Sequence, residues 1–221
     1  MTAHKQKEVG IDKQRKHTND IQNTTYEVET MSKQAKTLTQ QELRRVLDYT
    51  ATRKHSTRNR ALVLTSVYSG CRVGELSSLT YTDVVDDEGK VRDEIRLKAE
   101  NTKTKEARVV FVNAKLKKEL QQYASTYKPA NTQLKFFYSQ KRDSNGYNAN
   151  TLTQFFHYLY KRAGVCGASS HSGRRTFITN LASKGVGVRV LMSLAGHRNI
   201  STTQAYIDVN DDMKRKAVEL A

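Results

Sequence analysis

The sequence has no tryptophan, one proline and two cysteines. Cys71 and Cys166 lie far apart and form no CxxC pair, so neither a zinc site nor a disulfide framework is expected, and a reduced, cytoplasmic setting fits. Long apolar runs are also missing. Nothing approaches the roughly 18 residues of a membrane span, and the N-terminus lacks an apolar segment of signal-peptide length, so the chain is expected to be soluble and unexported. The phosphate-cradling pattern GxxxxGK[ST] is absent. The acidic pairs Asp86-Asp87 and Asp211-Asp212 fall on a turn and in a tail, so no metal and no other cofactor is expected. There is no internal repeat and no low-complexity segment.

What the sequence has in excess is positive charge. Its 38 Lys and Arg against 22 Asp and Glu give a formal net charge of +16, spread along most of the chain. That excess costs self-repulsion, and a polyanionic partner explains it; a ribosomal-type or merely soluble basic protein is the competing reading, which only motifs can decide. At 221 residues the chain can build one substantial core. Residues 1–36 are polar and almost free of large apolar side chains, so they are expected to form a flexible arm, either gripping phosphates through Lys5, Lys7, Lys13, Arg15 and Lys16 or simply solvated.

Regular structure is expected from Thr37. Thr39 with Glu42 makes a capping-box pattern and Leu38 with Leu43 a hydrophobic staple, predicting a helix over Gln40 to Ala51 with Leu43, Val46 and Leu47 facing inward. A second helix is expected over Thr57 to Ser69, closed by Gly70 as a left-handed cap. VVDDEG, EIRLK and ARVVFV are short, β-branched and separated by turn residues. They predict a three-stranded antiparallel sheet between Thr82 and Val112, with Lys103 and Lys105 at the tip of its second turn. Helices resume near Ala114, and beyond Pro129 Thr151 with Gln154 forms another capping box before Leu152, Phe155, Phe156 and Leu159. Three short helices follow: Ser172 to about Lys184, ending at Gly185; Val188 to Ala195, ending at Gly196; and one capped by Ser201 with Gln204, containing Tyr206. The fold class expected is α+β, mostly α with a small three-stranded antiparallel sheet.

The stretch from His171 to Tyr206 concentrates groups suited to an anion. His171 and Arg174, three apart, project from one face of a helix near its start, where the helix field favours negative charge. The guanidinium offers a planar fork for two phosphate oxygens and the imidazole can donate or accept a proton. His197 follows Gly196 in a turn, and Tyr206 lies nine residues further on. Each of these alone reads more readily as an ordinary surface or core residue. Their order and spacing give them a different weight.

With SGCRVGELSSLTYTDV (residues 69–84), a lysine hairpin, HSGRRT (171–176) and LAGHRNISTTQAY (194–206), the sequence resembles the tyrosine recombinases of the phage-integrase family over about Thr37 to Asn210. In length and layout it is similar to the short, catalytic-domain-only recombinases that invert fimbrial promoters. The resemblance implies a catalytic domain over residues 37–210 and a C-terminal tail over 211–221 that packs onto a neighbouring subunit, docks in cis or frays. It implies catalytic roles for Arg72, Lys103, His171, Arg174, His197 and the nucleophile Tyr206, with Glu75 orienting Arg72 and Lys105 as the alternative lysine. The implied reaction is site-specific cutting and rejoining of double-stranded DNA through a 3′-phosphotyrosine, without metal or ATP. A homotetramer on paired sites, accessory DNA-bending or directionality proteins, a mobile-element context and a nucleoid-associated, prokaryotic or phage setting are implied as well. Competing expectations are a type IB topoisomerase-like relaxing enzyme and a catalytically silent DNA-binding regulator. Most members of the family carry a separate helical DNA-binding domain, which residues 1–36 are too few and too polar to form.

Overall fold

The capping box at Thr39 forms as the sequence predicts. Thr39 Oγ1 accepts from the Glu42 amide at 3.2 Å and the Glu42 carboxylate accepts from the Thr39 amide at 3.0 Å, so two N-terminal donors are satisfied and helix α1 runs Gln40–Ala51. The computed structural model describes residues 35–139, 145–207 and 211–219; the arm expected before residue 35 lies outside them. Leu38 and Val46 are buried, with Leu43 and Leu47 packed at the margin of the core.

Helix α2 (Ser56–Ser69) is the central post of the fold. Ala61, Leu62, Val63, Leu64 and Val67 are all buried, and consecutive positions point to different sides, so this helix is covered all round. It ends at Gly70 in the left-handed region, φ 63°. A Cβ there would lie 2.5 Å from Phe177 Cδ1, so Gly70 serves a close approach as well as a turn. Two short helices, α3 (Val73–Ser78) and α4 (Tyr81–Val84), follow directly.

Among the described residues the sheet has two strands, not three. β1 (Glu94–Leu97) pairs antiparallel with β2 (Arg108–Phe111), placing Ile95 opposite Val110 and Leu97 opposite Arg108. The VVDDEG run, expected as the first strand, contributes only an isolated bridge between Val85 and Val91. Local side-chain bonds explain the loss. Asp83 accepts from the Thr80 amide at 2.8 Å and the Thr80 hydroxyl at 2.7 Å, drawing the run's first valine into α4. Asp86 Oδ1 then accepts from the amides of Glu88 and Lys90 at 3.0 and 2.8 Å, closing a tight loop where a ladder would otherwise extend. Val84, Val85 and Val91 are buried all the same.

Helix α5 (Ala114–Thr126) begins at Asn113, whose side chain accepts from the Leu116 amide at 2.9 Å. Tyr123 on α5 is buried among Phe136 and Phe137, its hydroxyl donating to Phe136 O at 2.8 Å. Helix α6 (Ala149–Arg162) starts earlier than the Thr151–Gln154 box would place it. Asn148 takes the cap instead, accepting from the Thr151 amide at 2.8 Å while Thr151 Oγ1 accepts from the Asn148 amide at 3.0 Å.

The last third is helical: α7 (Ser172–Ala182), α8 (Val188–Ala195), α9 (Ile200–Gln204) and α10 (Asp211–Val218). α7 packs against α2 through Gly173, where a Cβ would fall 1.9 Å from Ser66 Oγ. α8 closes at Gly196 with φ 62°. Asn199, rather than Ser201, occupies the cap of α9 and makes no side-chain cap bond. α9 stops at Gln204, so Tyr206 sits in the turn beyond the helix rather than inside it, its amide donating to Thr203 O at 3.0 Å. The described side chains of α10 are exposed, Val218 at 73%. Among the described residues no helix is long and apolar enough to cross a membrane.

Candidate active site

Three guanidinium groups converge on the C-terminal end of α8, one on each of three consecutive carbonyls. Arg108 Nη1 donates to Leu194 O at 2.9 Å, Arg174 Nη2 to Ala195 O at 2.6 Å and Arg72 Nη2 to Gly196 O at 2.9 Å. A helix C-terminus presents unpaired carbonyls and a partial negative charge, which makes it a natural anchor for cations. Gly196 has to be small here, because a Cβ would lie 2.7 Å from Arg108 Cδ.

Glu75 binds two of the three. Its carboxylate accepts from the Arg72 amide at 2.7 Å and Arg72 Nη1 at 3.0 Å, and from Arg108 Nη2 at 2.6 Å. Glu75 is only 1% exposed. Burial alone would raise its carboxyl, but the hydrogen bonds and charge of Arg108, with Arg72 behind them, hold it below the ordinary value. Arg72 gains its place at the start of α3, where the chain turns out of the Gly70 cap. Arg174, on the first turn of α7, is buried at 3% exposure and spans from Gly70 O, 2.6 Å from its Nη1, to Ala195 O. Burial and then the neighbouring Arg72 push its guanidinium down to about 10, so it stays charged at neutral pH in a place where an anion would relieve both costs.

His197 and Tyr206 lie beside this cluster. Their rings stack with centroids 5.6 Å apart and planes 21° apart. His197 Nδ1 is 2.8 Å from Thr203 Oγ1, which leaves Nε2 as the nitrogen available to a ligand. Burial, followed by the charges of Arg174, Arg72 and Arg108, brings its imidazole down to about 4, so it is neutral at neutral pH. Tyr206 is half-buried, with Arg175 Cζ 5.4 Å from its ring centroid and Thr179 Oγ1 donating to its carbonyl at 3.1 Å.

A cavity of about 410 Å³ is lined by both His171 and Tyr206, together with Ser169, Arg175 and Thr202. Arg72 and Arg174 do not line it. His171 stands at the N-terminal end of α7, its Nδ1 3.4 Å from Ser170 Oγ. Partial burial, then the charges of Arg174, Lys103 and Arg72, hold its imidazole below the ordinary value. Of the two candidate lysines, Lys103 is one of the charges that lower the His171 imidazole. Both lysines are exposed at the tip of the β1–β2 hairpin, which Thr102 knits together by donating from Oγ1 to Glu106 O at 2.9 Å. Lys105 has a left-handed backbone, φ 56°.

Arg108 escapes a reading of the sequence alone. Its signal is the strand period: it shares the inward face of β2 with buried Val110, and a charge on that face needs partners. Arg175 and Thr203, which bear on Tyr206 and His197, carry no comparable signal.

The profile described as the phage integrase family matches residues 36–213. The chain belongs to that family. The match spans every residue of the site, from Arg72 to Tyr206. Tyrosine recombinase XerA of Thermococcus kodakarensis is 32% identical over 190 residues, covering 84% of this chain and 62% of that protein. XerA of Pyrococcus horikoshii is 26% identical over 186 residues, covering 84% and 61%. Among solved structures, the XerA recombinase crystal structure superposes with a TM-score of 0.66 at 26% identity, covering 84% of this chain and 64% of that one. The Tn1549 transposon integrase in complex with transposon right end DNA gives a TM-score of 0.65 at 22% identity over 83% and 65%, a likeness of fold. This phage integrase family chain spans about half to three fifths of the length of the curated relatives it matches, 62% for the Thermococcus kodakarensis protein and 50% for the Thermosipho africanus tyrosine recombinase.

Proposed function

We propose that the protein is a site-specific DNA recombinase that cuts and rejoins strands through a 3′-phosphotyrosine on Tyr206. The observation that carries this reading is the set of three guanidiniums on consecutive carbonyls at the C-terminal end of α8, two of them, Arg72 and Arg108, bonded to Glu75, and all set beside the stacked His197 and Tyr206. Its surplus positive charge suits a phosphodiester, and its bonds fix the donors before substrate arrives.

In the reaction, the phenolate of Tyr206 attacks phosphorus. A bond forms from phosphorus to the tyrosine oxygen and the bond to the 5′-oxygen breaks. Arg72 and Arg174 each keep guanidinium N–H groups beyond those spent on carbonyls, and these neutralise the non-bridging oxygens as the pentacoordinate state forms; each such contact is worth roughly 2–4 kcal/mol. His171, neutral at pH 7, takes the phenol proton, and Lys103 gives one to the departing 5′-oxygen. His197 donates a hydrogen bond to the phosphate, and Glu75 orients Arg72. The covalent intermediate keeps the phosphodiester energy, so attack by another strand's 5′-hydroxyl reseals the DNA without ATP.

Double-stranded DNA as partner is supported by the formal charge of +16 and by relatives of the same fold solved on DNA, among them XerH bound to its difH substrate. A homotetramer on two sites, with α10 docking between subunits and accessory proteins setting direction, completes the proposal; the setting is the nucleoid of a prokaryote or phage-infected cell. The relatives are named tyrosine recombinases, which favours neither a topoisomerase nor a silent regulator.

A nicked suicide duplex tests the reading, since loss of the short strand traps the intermediate. Wild type should give a denaturation-resistant protein–DNA adduct and Tyr206→Phe none. No adduct from wild type, or as much from Tyr206→Phe, would refute it.

A further inference from the structure

The hairpin that carries Lys103 is gripped by the residue next to His197. Arg198 Nη2 donates to Thr104 O and lies 3.2 Å from Glu106 Oε1, so one guanidinium holds the chain on both sides of Lys105 and one residue after Lys103. The tip it grips is already compact. Thr102 is buried, its hydroxyl donating to Ala99 O at 3.0 Å and Glu106 O at 2.9 Å while accepting from the Glu106 amide at 3.2 Å. Lys105 makes its left-handed turn between the two gripped residues. Arg108 anchors the far end of the same turn, on Glu75 and on Leu194 O. The hairpin is thus pinned at its base by a buried ion pair and at its tip by an exposed one.

We infer that Arg198 is a positioning residue for the general acid: by clasping Thr104 and Glu106 it latches the hairpin to the α8–α9 loop and so holds Lys103 at the leaving oxygen. The inference rests on the reading of Lys103 given above. The two pins differ in strength for a physical reason. Arg108 and Glu75 are desolvated, at 9% and 1% side-chain exposure, and their bond is costly to break. Arg198 and Glu106 are 60% and 63% exposed, so water and salt compete with their attraction. The latch is therefore the weak end, able to open for DNA to enter and to close on it. It also ties the lysine to the loop holding His197, so both contacts with the phosphate depend on one segment.

The test compares cleavage of two suicide duplexes, one with an ordinary scissile phosphate and one with sulfur replacing the bridging 5′-oxygen. A thiolate leaves without a proton, so the second substrate needs no general acid. Lys103→Ala serves as the reference and should be slow on the first and near wild type on the second. Arg198→Ala should slow the ordinary substrate by about three- to tenfold, the size of one exposed ion pair with its hydrogen bond, yet cleave the sulfur substrate within about twofold of wild type. Glu106→Gln should follow the same pattern more weakly, and Arg198→Lys should recover part of the loss.

Equal slowing of both substrates by Arg198→Ala would mean a DNA contact or a folding defect and overturn the latch, as would no slowing of either. If Lys103→Ala stays slow on the sulfur substrate, the general-acid reading itself fails, whatever Arg198→Ala does. Rescue of Lys105→Ala in place of Lys103→Ala would overturn both.

Discussion

Arg72 and Arg174 reach neighbouring carbonyl oxygens, those of Gly196 and Ala195, at 2.9 and 2.6 Å. Two like charges are thereby held side by side by the end of one helix, with Arg108 on the next carbonyl back. Such an arrangement stands only because α8 supplies its dipole and Glu75 its charge. The same bonds fix the direction of both guanidiniums.

Glu75 should be the most sensitive single position for stability. Glu75→Gln keeps the shape and removes the carboxylate that bonds Arg72 and Arg108, leaving a nearly buried guanidinium without its counter-charge. The expected loss is about 2–4 kcal/mol in urea unfolding. Because the folded carboxyl sits below the ordinary 4.5, its contribution is present above that pH and is lost as the pH falls through the depressed folded value. The variant should lack this acid sensitivity.

His197 should make folding pH-dependent in a different window. Its folded value of about 4 lies below the ordinary 6.5, so the unfolded chain binds the proton more readily. Stability conferred by the neutral ring is full above 6.5 and falls as the pH drops from 6.5 towards 4. Unfolding measured across that window should show the slope in wild type and a shallower one in His197→Gln.

His171 should appear in the rate. Its imidazole lies below the ordinary 6.5, and if it is the base proposed above, single-turnover cleavage should rise with pH through an inflection below 6.5 and then level off. His171→Asn should be slower and lose that inflection.

Arg108→Lys tests whether a fork is needed where charge is retained. Lysine cannot bond Glu75 through two nitrogens and Leu194 O at once, so cleavage should fall by about tenfold or more, with about 1–3 kcal/mol of stability.

Much of this was legible in the sequence where the determinants are local. The caps at Thr39, Gly70 and Gly196 involve residues within one turn, so α1, α8 and the end of α2 fall where their patterns put them. The missing third strand had equally local causes, but Asp83 and Asp86 compete with β-branched valines of opposite preference, and pattern alone does not weigh the two. Asn148 displaces Thr151 as a cap for the same reason. The grouping of Arg108 with Glu75 lay beyond reach, since 33 positions separate them and only the packed sheet brings them together. Tyr206 was legible as a residue but not as a turn, because its release from α9 depends on where Gln204 ends the helix.

The central claim is that Tyr206 carries the DNA. The most direct measurement digests the trapped suicide-substrate adduct with protease and nuclease and sequences the modified peptide by mass spectrometry. A nucleotide joined through its 3′-phosphate to Tyr206 is the result expected; attachment to any other residue, or through a 5′-phosphate, would contradict it.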